Sequence, residues 1–311
     1  MLTKLSEFRW HVFSKGYKCE DCTLRRGEKA RVVVPKWWNN DPSEAEKLEE
    51  AEVTLTEGDL NEVFPLDEEP GLYRKFAGLD LIEEAILRFA DRWGPLENAH
   101  EVEPDEYENT MVAFVGDTTQ EWFTQIRRMR ALVELWDVLQ GKTKRKLADL
   151  IDTVISECNW SWDVEIRFKE YPDLNWHQTF RERDWPGFSA LESGRTREVA
   201  RTCLFDLVNE SLWGSCSPWL SPNDSDDAVT VCLTPHNLKA AMWLMFAQEL
   251  TGEKDLKQCL YCKGYFEAST DTKDRRQRSD KKYCSPKCRG AAFRERGGNV
   301  ATKNNDLGAE G

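Results

Sequence analysis

Cys259-Leu260-Tyr261-Cys262, then 21 intervening residues, then Cys284-Ser285-Pro286-Lys287-Cys288: the C-terminal fold is legible from this stretch. Two close cysteine pairs separated by about the length of a β-hairpin have the ligand spacing of a structural zinc site. A lone CxxC also serves as a redox pair, but here turn chemistry surrounds the first pair and helix-start chemistry the second. Gly264 stands where a tight turn needs a positive φ, so that backbone N–H groups can point at the sulfurs. Tyr265 and Phe266 then start a strand. Ser285 suits an N-cap and Pro286 the first helical position, where its missing N–H costs nothing. The spacing predicts a knuckle, a hairpin and a helix running to about Arg296. Together they make a treble-clef-like module holding one structural zinc ion on Cys259, Cys262, Cys284 and Cys288. Four thiols or two disulfides are the alternatives.

Charge sets this module apart. The chain carries a formal −13, yet residues 254–296 hold 13 Lys and Arg against 6 Asp and Glu, a formal +7 that leaves −20 on the remainder. Four thiolates around Zn²⁺ carry −2, so the loaded module stands near +5. Lys273, Arg275, Arg276, Arg278, Lys281 and Lys282 fall in the hairpin connection, and Lys287, Arg289, Arg294 and Arg296 on the last helix. These cations attract phosphate locally, while the acidic remainder opposes a long polyanion.

Upstream, the chain reads as α+β: a mainly helical body with small β-elements, ahead of the C-terminal finger. The expected division is an N-terminal β-element and acidic loop (1–70), the body (71–253), the finger (254–296) and a disordered tail (297–311). Apolar runs at 8–13 and 30–34 flank a charged connection containing Cys19 and Cys22. That second CxxC is either an exposed turn with two ordinary thiols or a zinc site with His11 as its third ligand. Residues 41–69 read as mostly solvated loop with one short helix.

Leu79, Ile82, Ile86, Phe89 and Trp93 recur at helical steps, with Asp80 and Glu83 as a capping box and Gly94-Pro95 as the stop. After an irregular connection over 98–119, a helix over 119–140 carries Trp122, Ile126, Met129, Val133 and Trp136 on one stripe. Another helix is expected over 143–157, using Leu147, Leu150, Ile151 and Val154. Trp162, Val164, Ile166 and Phe168 alternate with charged residues, as in a half-buried strand. A helix over 195–213 ends at Gly214, a strand follows at 228–233, and Thr234-Pro235 starts a central apolar helix that reaches Leu250. No internal repeat, P-loop, dinucleotide fingerprint or nucleophile elbow is present in the sequence. Residues 1–13 lack a secretory apolar core, and the longest apolar run, 240–247, is too short to span a bilayer. The expectation is a soluble cytoplasmic protein whose ten cysteines are reduced or metal-bound.

The order of elements resembles that of bacterial proteins in which a helical domain, ABATE, precedes a CGNR-type zinc finger, a family assigned to stress-induced transcription regulation. Gln248-Glu249-Leu250-Thr251-Gly252, Cys259-Leu260-Tyr261-Cys262, Tyr283-Cys284-Ser285 and the closing Cys288 carry the resemblance. The family's Gly-Asn-Arg is replaced by Arg289-Gly290-Ala291, and the spacer inside the second pair is one residue shorter. The resemblance implies a regulatory role and zinc ligation by the same four cysteines.

Three functions are therefore open. One is nucleic-acid binding, DNA or RNA, through the basic residues named above, with Tyr265, Phe266 and Phe293 either stacking on bases or forming the finger's small core. Another is a protein-interaction or scaffold module in which zinc is a purely structural clip and the acidic, Trp-rich body of this chain of thirteen tryptophans meets a protein partner. The last is an enzyme of nuclease or toxin type. It has only His11, His100, His177 and His236 to draw on, and none lies in a catalytic motif.

Overall fold

The stripe along residues 119–140 buries as a helix, and the larger part of the chain is built on it. A computed structural model describes residues 8, 10–23, 29–36, 51–53, 60–97, 111–113, 117–158, 161–181, 196–222, 229–252, 256–268 and 281–303. The first half runs β1 (Trp10–Phe13), β2 (Tyr17–Thr23), β3 (Lys29–Pro35), β4 (Ala51–Val53), β5 (Leu60–Val63), α1 (Pro65–Glu68), α2 (Leu72–Ala77), α3 (Glu83–Trp93), β6 (Met111–Ala113) and α4 (Thr119–Leu139). The second runs α5 (Leu147–Leu150), β7 (Ile151–Cys158), β8 (Ser161–Phe168), β9 (Tyr171–Arg181), α6 (Thr196–Leu212), β10 (Cys216–Pro222), β11 (Val229–Pro235), α7 (Leu238–Leu250), β12 (Leu256–Gln258), β13 (Tyr265–Glu267) and α8 (Pro286–Lys303). Two units result: Met1–Pro65 with Tyr73–Leu244, and Leu66–Leu72 with Met245–Gly311. Sheets among the described residues are small and antiparallel: β1-β5, β2-β3, β4-β6, β7-β8-β9, β10-β11 and β12-β13.

In the larger unit α4 starts with the reciprocal cap that Thr118 and Glu121 make possible. Glu121 N–H donates to Thr118 Oγ1 at 3.1 Å, and Thr118 N–H donates to Glu121 Oε2 at 2.7 Å. Its apolar stripe is closed to water, and the rings of Phe76, Phe89 and Trp122 meet with centroids 5.4–6.0 Å apart. Each such side chain contributes about 1.5–3 kcal/mol by leaving water. Val164, Ile166 and Phe168 of β8 are buried, as their alternation requires. Gly94 ends α3 at φ +87°, and a Cβ there would lie 2.6 Å from Trp10 Nε1. Any side chain at that position meets both backbone strain and a clash.

Several expectations are corrected. Residues 151–158 form strand β7, not the end of a helix. Ile151, Thr153, Val154 and Ile155 are β-branched, and pairing along the whole of β8 outweighs the helical spacing of Leu147, Leu150, Ile151 and Val154. Asn175, Trp176 and His177 lie on strand β9, with Trp176 buried and its indole N–H donating to Asp206 Oδ2 at 3.2 Å. Asp80 does not cap α3. Ile82 holds the N-cap position without a side-chain bond, and Glu83 is engaged by Arg31 at 2.8 and 3.1 Å.

Pro235 closes strand β11. Helix α7 starts later, where Asn237 Oδ1 accepts the N–H of Ala240 at 2.8 Å, since Asn is among the best N-caps. Cys19 and Cys22 lie on β2, paired with β3, not in a turn. The region expected to be loop over 41–69 includes strands β4 and β5 beside its short helix α1, and the connection over 98–119 includes β6. Finally, α8 passes Arg296 and runs through Gly297-Gly298 to Lys303, because helical hydrogen bonding propagates readily once nucleated. The rest of the expected tail, 304–311, lies outside the described residues. Among those residues no helix is long and apolar enough to cross a membrane.

Candidate metal centre

Three short elements of the smaller unit bring the four cysteines together. β12 and β13 pair antiparallel, with Gln258 opposite Tyr265, and the chain between them turns back on itself. Cys259 N–H donates to the carbonyl of Gly264 at 2.9 Å and Lys263 N–H to that of Cys259 at 3.0 Å. The left-handed residue of this knuckle is Lys263, at φ 62°, and not Gly264. Lys263 Nζ donates to the Leu260 carbonyl at 3.1 Å, a local bond that offsets part of the strain. Leu260 N–H donates to the Lys282 carbonyl at 3.0 Å, which ties the knuckle to the segment carrying the second pair.

At the second pair Ser285 and Pro286 behave as their chemistry demands. Helix α8 begins at Pro286, and Ser285 Oγ accepts the N–H of Cys288 at 3.2 Å. That cap fixes the first helical turn, and with it the sulfur of Cys288. Ser285→Ala is expected to cost about 1 kcal/mol, which a chelator competition reads as a roughly fivefold loss of metal affinity. Unchanged affinity would show that the cap does not position Cys288.

The four Sγ atoms lie within 4.8 Å of one another, with Cys262 and Cys284 3.6 Å apart and Cys284 and Cys288 3.4 Å apart. Among the described residues this is the one group of three or more His, Cys, Asp and Glu side chains arranged to hold a metal ion. Cys259 is fully buried, while Cys262 is exposed and Cys284 and Cys288 lie between. Burial works to raise the Cys259 thiol, but backbone hydrogen bonds from Cys284, Cys262 and Tyr261 outweigh it and draw the group down to about 6. Cys284 goes the other way, to about 12, through burial and the crowding sulfurs of Cys288, Cys262 and Cys259. Four thiols this close share their charge: losing one proton makes the next harder to lose.

Beneath the sulfurs the core is very small. Cys259, Phe266 and Ala268 are buried, and Tyr283, Cys284 and Cys288 pack against them. Phe266 thus belongs to the core of the finger, and Lys281 Nζ stands 5.2 Å from its ring centroid. Tyr265 packs on Gly71 of the same unit, where a Cβ would come within 2.2 Å of the Tyr265 Cβ.

Of the basic residues singled out above, Lys282, Lys287, Arg289 and Arg294 are exposed. Lys273, Arg275, Arg276 and Arg278 lie outside the described residues, as does the side chain of Arg296. Phe293 is 74% exposed on α8. Sequence reasoning overlooked Leu260 and Tyr261, which stand out on the knuckle, 57% and 37% exposed. Tyr261 faces Glu295, whose charge raises its phenol. The only sequence signal for them was their place inside the CxxC, where both spacer side chains must point away from the metal.

Among the described residues no histidine takes part in this centre. His177 is exposed on β9 opposite Glu165, and His236 is exposed with Nε2 2.6 Å from Ser217 Oγ. His100 lies outside the described residues. Comparison with protein-family models, curated proteins and solved structures gives no match.

Proposed function

We propose that Cys259, Cys262, Cys284 and Cys288 hold one structural zinc ion in a treble-clef-like finger, and that the finger is a nucleic-acid-binding module comparable to those of CGNR-type regulators. The donor set supports zinc. Zn–S bonds near 2.3 Å place tetrahedral sulfurs roughly 3.8 Å apart, against 3.6 and 3.4 Å for the two close pairs. Such an ion supplies folding energy and no reaction. The thiolates must stay reduced, which suits a cytoplasmic setting.

The observation that carries the nucleic-acid reading is the exposure of Lys287, Arg289 and Arg294 on the helix that also brings Cys288 to the centre. None of the three takes an ion-pair partner among the described residues. Lys282 adds a fourth cation, and Lys273, Arg275, Arg276, Arg278 and Arg296 extend the same charge along the sequence. The test is fluorescence anisotropy with zinc-loaded full-length protein, mixed duplex DNA and single-stranded RNA across a salt series. The expected result is a linear fall of log affinity with log salt, with a slope of about 0.7–0.9 per phosphate contacted. Absence of salt-sensitive binding to any nucleic acid overturns the reading.

A second reading is favoured by Leu260 and Tyr261: a zinc-clipped protein-interaction module that uses the apolar tip of the knuckle. It predicts a stoichiometric protein partner whose binding weakens in Leu260→Asp and is insensitive to nuclease.

A further inference from the structure

At 100° per residue, Cys288, Ala292 and Glu295 share one side of α8, while Arg289, Gly290, Phe293 and Arg294 share the other with Lys287 at its margin. Burial follows that division. Ala292 is buried and Cys288 half-buried, whereas Lys287, Arg289, Phe293 and Arg294 are all exposed. Phe293 is the aromatic side chain that this geometry leaves unexplained. At 74% exposure it plays no part in a finger core made by Cys259, Phe266 and Ala268.

Its surroundings suit a flat ligand. Gly290, three residues earlier on the same face, has no side chain, and a Cβ added there would meet only Arg294 Nη1, at 3.7 Å. Open surface therefore lies beside the ring, with one guanidinium at its edge. Among the described residues of α8 the charges around the ring are cationic, and the nearby carboxylate, Glu295, hydrogen-bonds the Tyr261 hydroxyl, with Arg294 also within electrostatic reach of that phenol. An exposed ring, an open glycine floor and flanking cations match a base stacked on the ring with its neighbouring phosphates on the cations.

We infer that the outer face of α8, with Phe293 at its centre and Lys287, Arg289 and Arg294 around it, is a stacking platform for single-stranded nucleic acid. The inference rests on the proposed nucleic-acid reading and narrows it. Cations alone serve a duplex as well as a single strand. A phenyl ring that needs a base's π-face does not, because in a duplex those faces are stacked on one another.

The experiment measures binding of zinc-loaded full-length protein, wild type and Phe293→Ala, Phe293→Leu and Phe293→Trp, to a mixed-sequence single strand and to its duplex. Because Phe293 is exposed, zinc content and circular dichroism should be equal across the four proteins, which keeps the comparison free of folding effects. Expected results are tighter binding of the single strand than of the duplex and a loss of about tenfold or more for Phe293→Ala on the single strand. The salt slope should be unchanged, since no cation is removed, and Phe293→Trp should restore affinity where Phe293→Leu does not. If Phe293→Ala binds the single strand as well as wild type, or wild type prefers the duplex, the stacking inference falls and the nucleic-acid reading stands. If neither form binds in a salt-sensitive way, the nucleic-acid reading falls and takes this one with it.

Discussion

Cys284→Ser is expected to lower bound zinc from one ion per chain to none and to abolish amide-exchange protection in β12, β13 and α8, while the helices of the larger unit keep theirs. Cys284 sits between two other sulfurs, 3.6 Å from Cys262 and 3.4 Å from Cys288, so its loss opens the cluster at the centre. Serine nearly preserves the shape but offers a hydroxyl that does not ionise near neutral pH, and zinc binds the thiolate form. The consequence for folding is large because little else holds this segment. Its buried side chains are few, Leu256, Cys259, Phe266, Ala268 and Ala292 among the described residues, and its strands are three residues each. A core that small does not offset the conformational entropy of ordering its chain, whereas structural zinc contributes on the order of 10 kcal/mol. Metal content by atomic absorption and hydrogen exchange by mass spectrometry check both halves of the expectation. Cys203→Ser, at a buried thiol of α6 in the larger unit, serves as the control and should keep its zinc. Retention of zinc at native affinity by Cys284→Ser would falsify the ligand assignment.

The cysteine quartet was legible because the spacing suited to a metal is local chemistry repeated at two places. A CxxC inside a turn and a cysteine four residues after another, with Ser285-Pro286 between them, each specify their own backbone. Even so, the turn chooses its left-handed residue by hydrogen bonding. Lys263 takes φ 62° because its N–H reaches the Cys259 carbonyl, and Gly264 is left with an ordinary conformation. In the body, long amphipathic helices such as α4 read correctly, since their apolar period and the Thr118 and Glu121 cap agree.

The failures came where the partner, not the segment, decides. Ile151 and Val154 fit a helical stripe as well as a strand until β8 is there to pair with, whereas Leu147 and Leu150 stay helical in α5. The cap of α7 was read at Thr234-Pro235 from a proline rule, although Asn237 three residues on was the stronger capping side chain. The aromatic face of the finger divided in a way composition cannot show: Phe266 inward, Phe293 outward, and Tyr261 exposed from within the CxxC itself.

Asp137→Ala is expected to destabilise the larger unit by about 3 kcal/mol, the low end of the loss on removing one partner of a buried ion pair, since the Asp137 side chain is 25% exposed. Arg74 is only 8% exposed, and its guanidinium donates to both carboxylate oxygens of Asp137 at 3.0 Å, a two-point contact from α2 to α4. The same two elements are tied again where Arg130 of α4 donates to the carbonyls of Ala77, at 2.6 Å, and Leu79, so a cation covers the carbonyl end of α2. Truncating Asp137 keeps the second tie and the bond from Arg74 Nε to the Tyr73 hydroxyl at 3.0 Å, but removes the carboxylate that offsets most of the lost hydration of the guanidinium. For a unit of this size the change corresponds to a fall in Tm of roughly 6–12 °C. The double variant Arg74→Met/Asp137→Leu separates charge from packing. It removes both ions together, and near-wild-type stability is expected for it, because two apolar side chains of similar length do not need the desolvated charges they replace. Differential scanning calorimetry of the two proteins settles the point: if Asp137→Ala melts within about 2 °C of wild type, the pair behaves as an exposed one, and α2 and α4 are held together by the Arg130 tie and their apolar contacts.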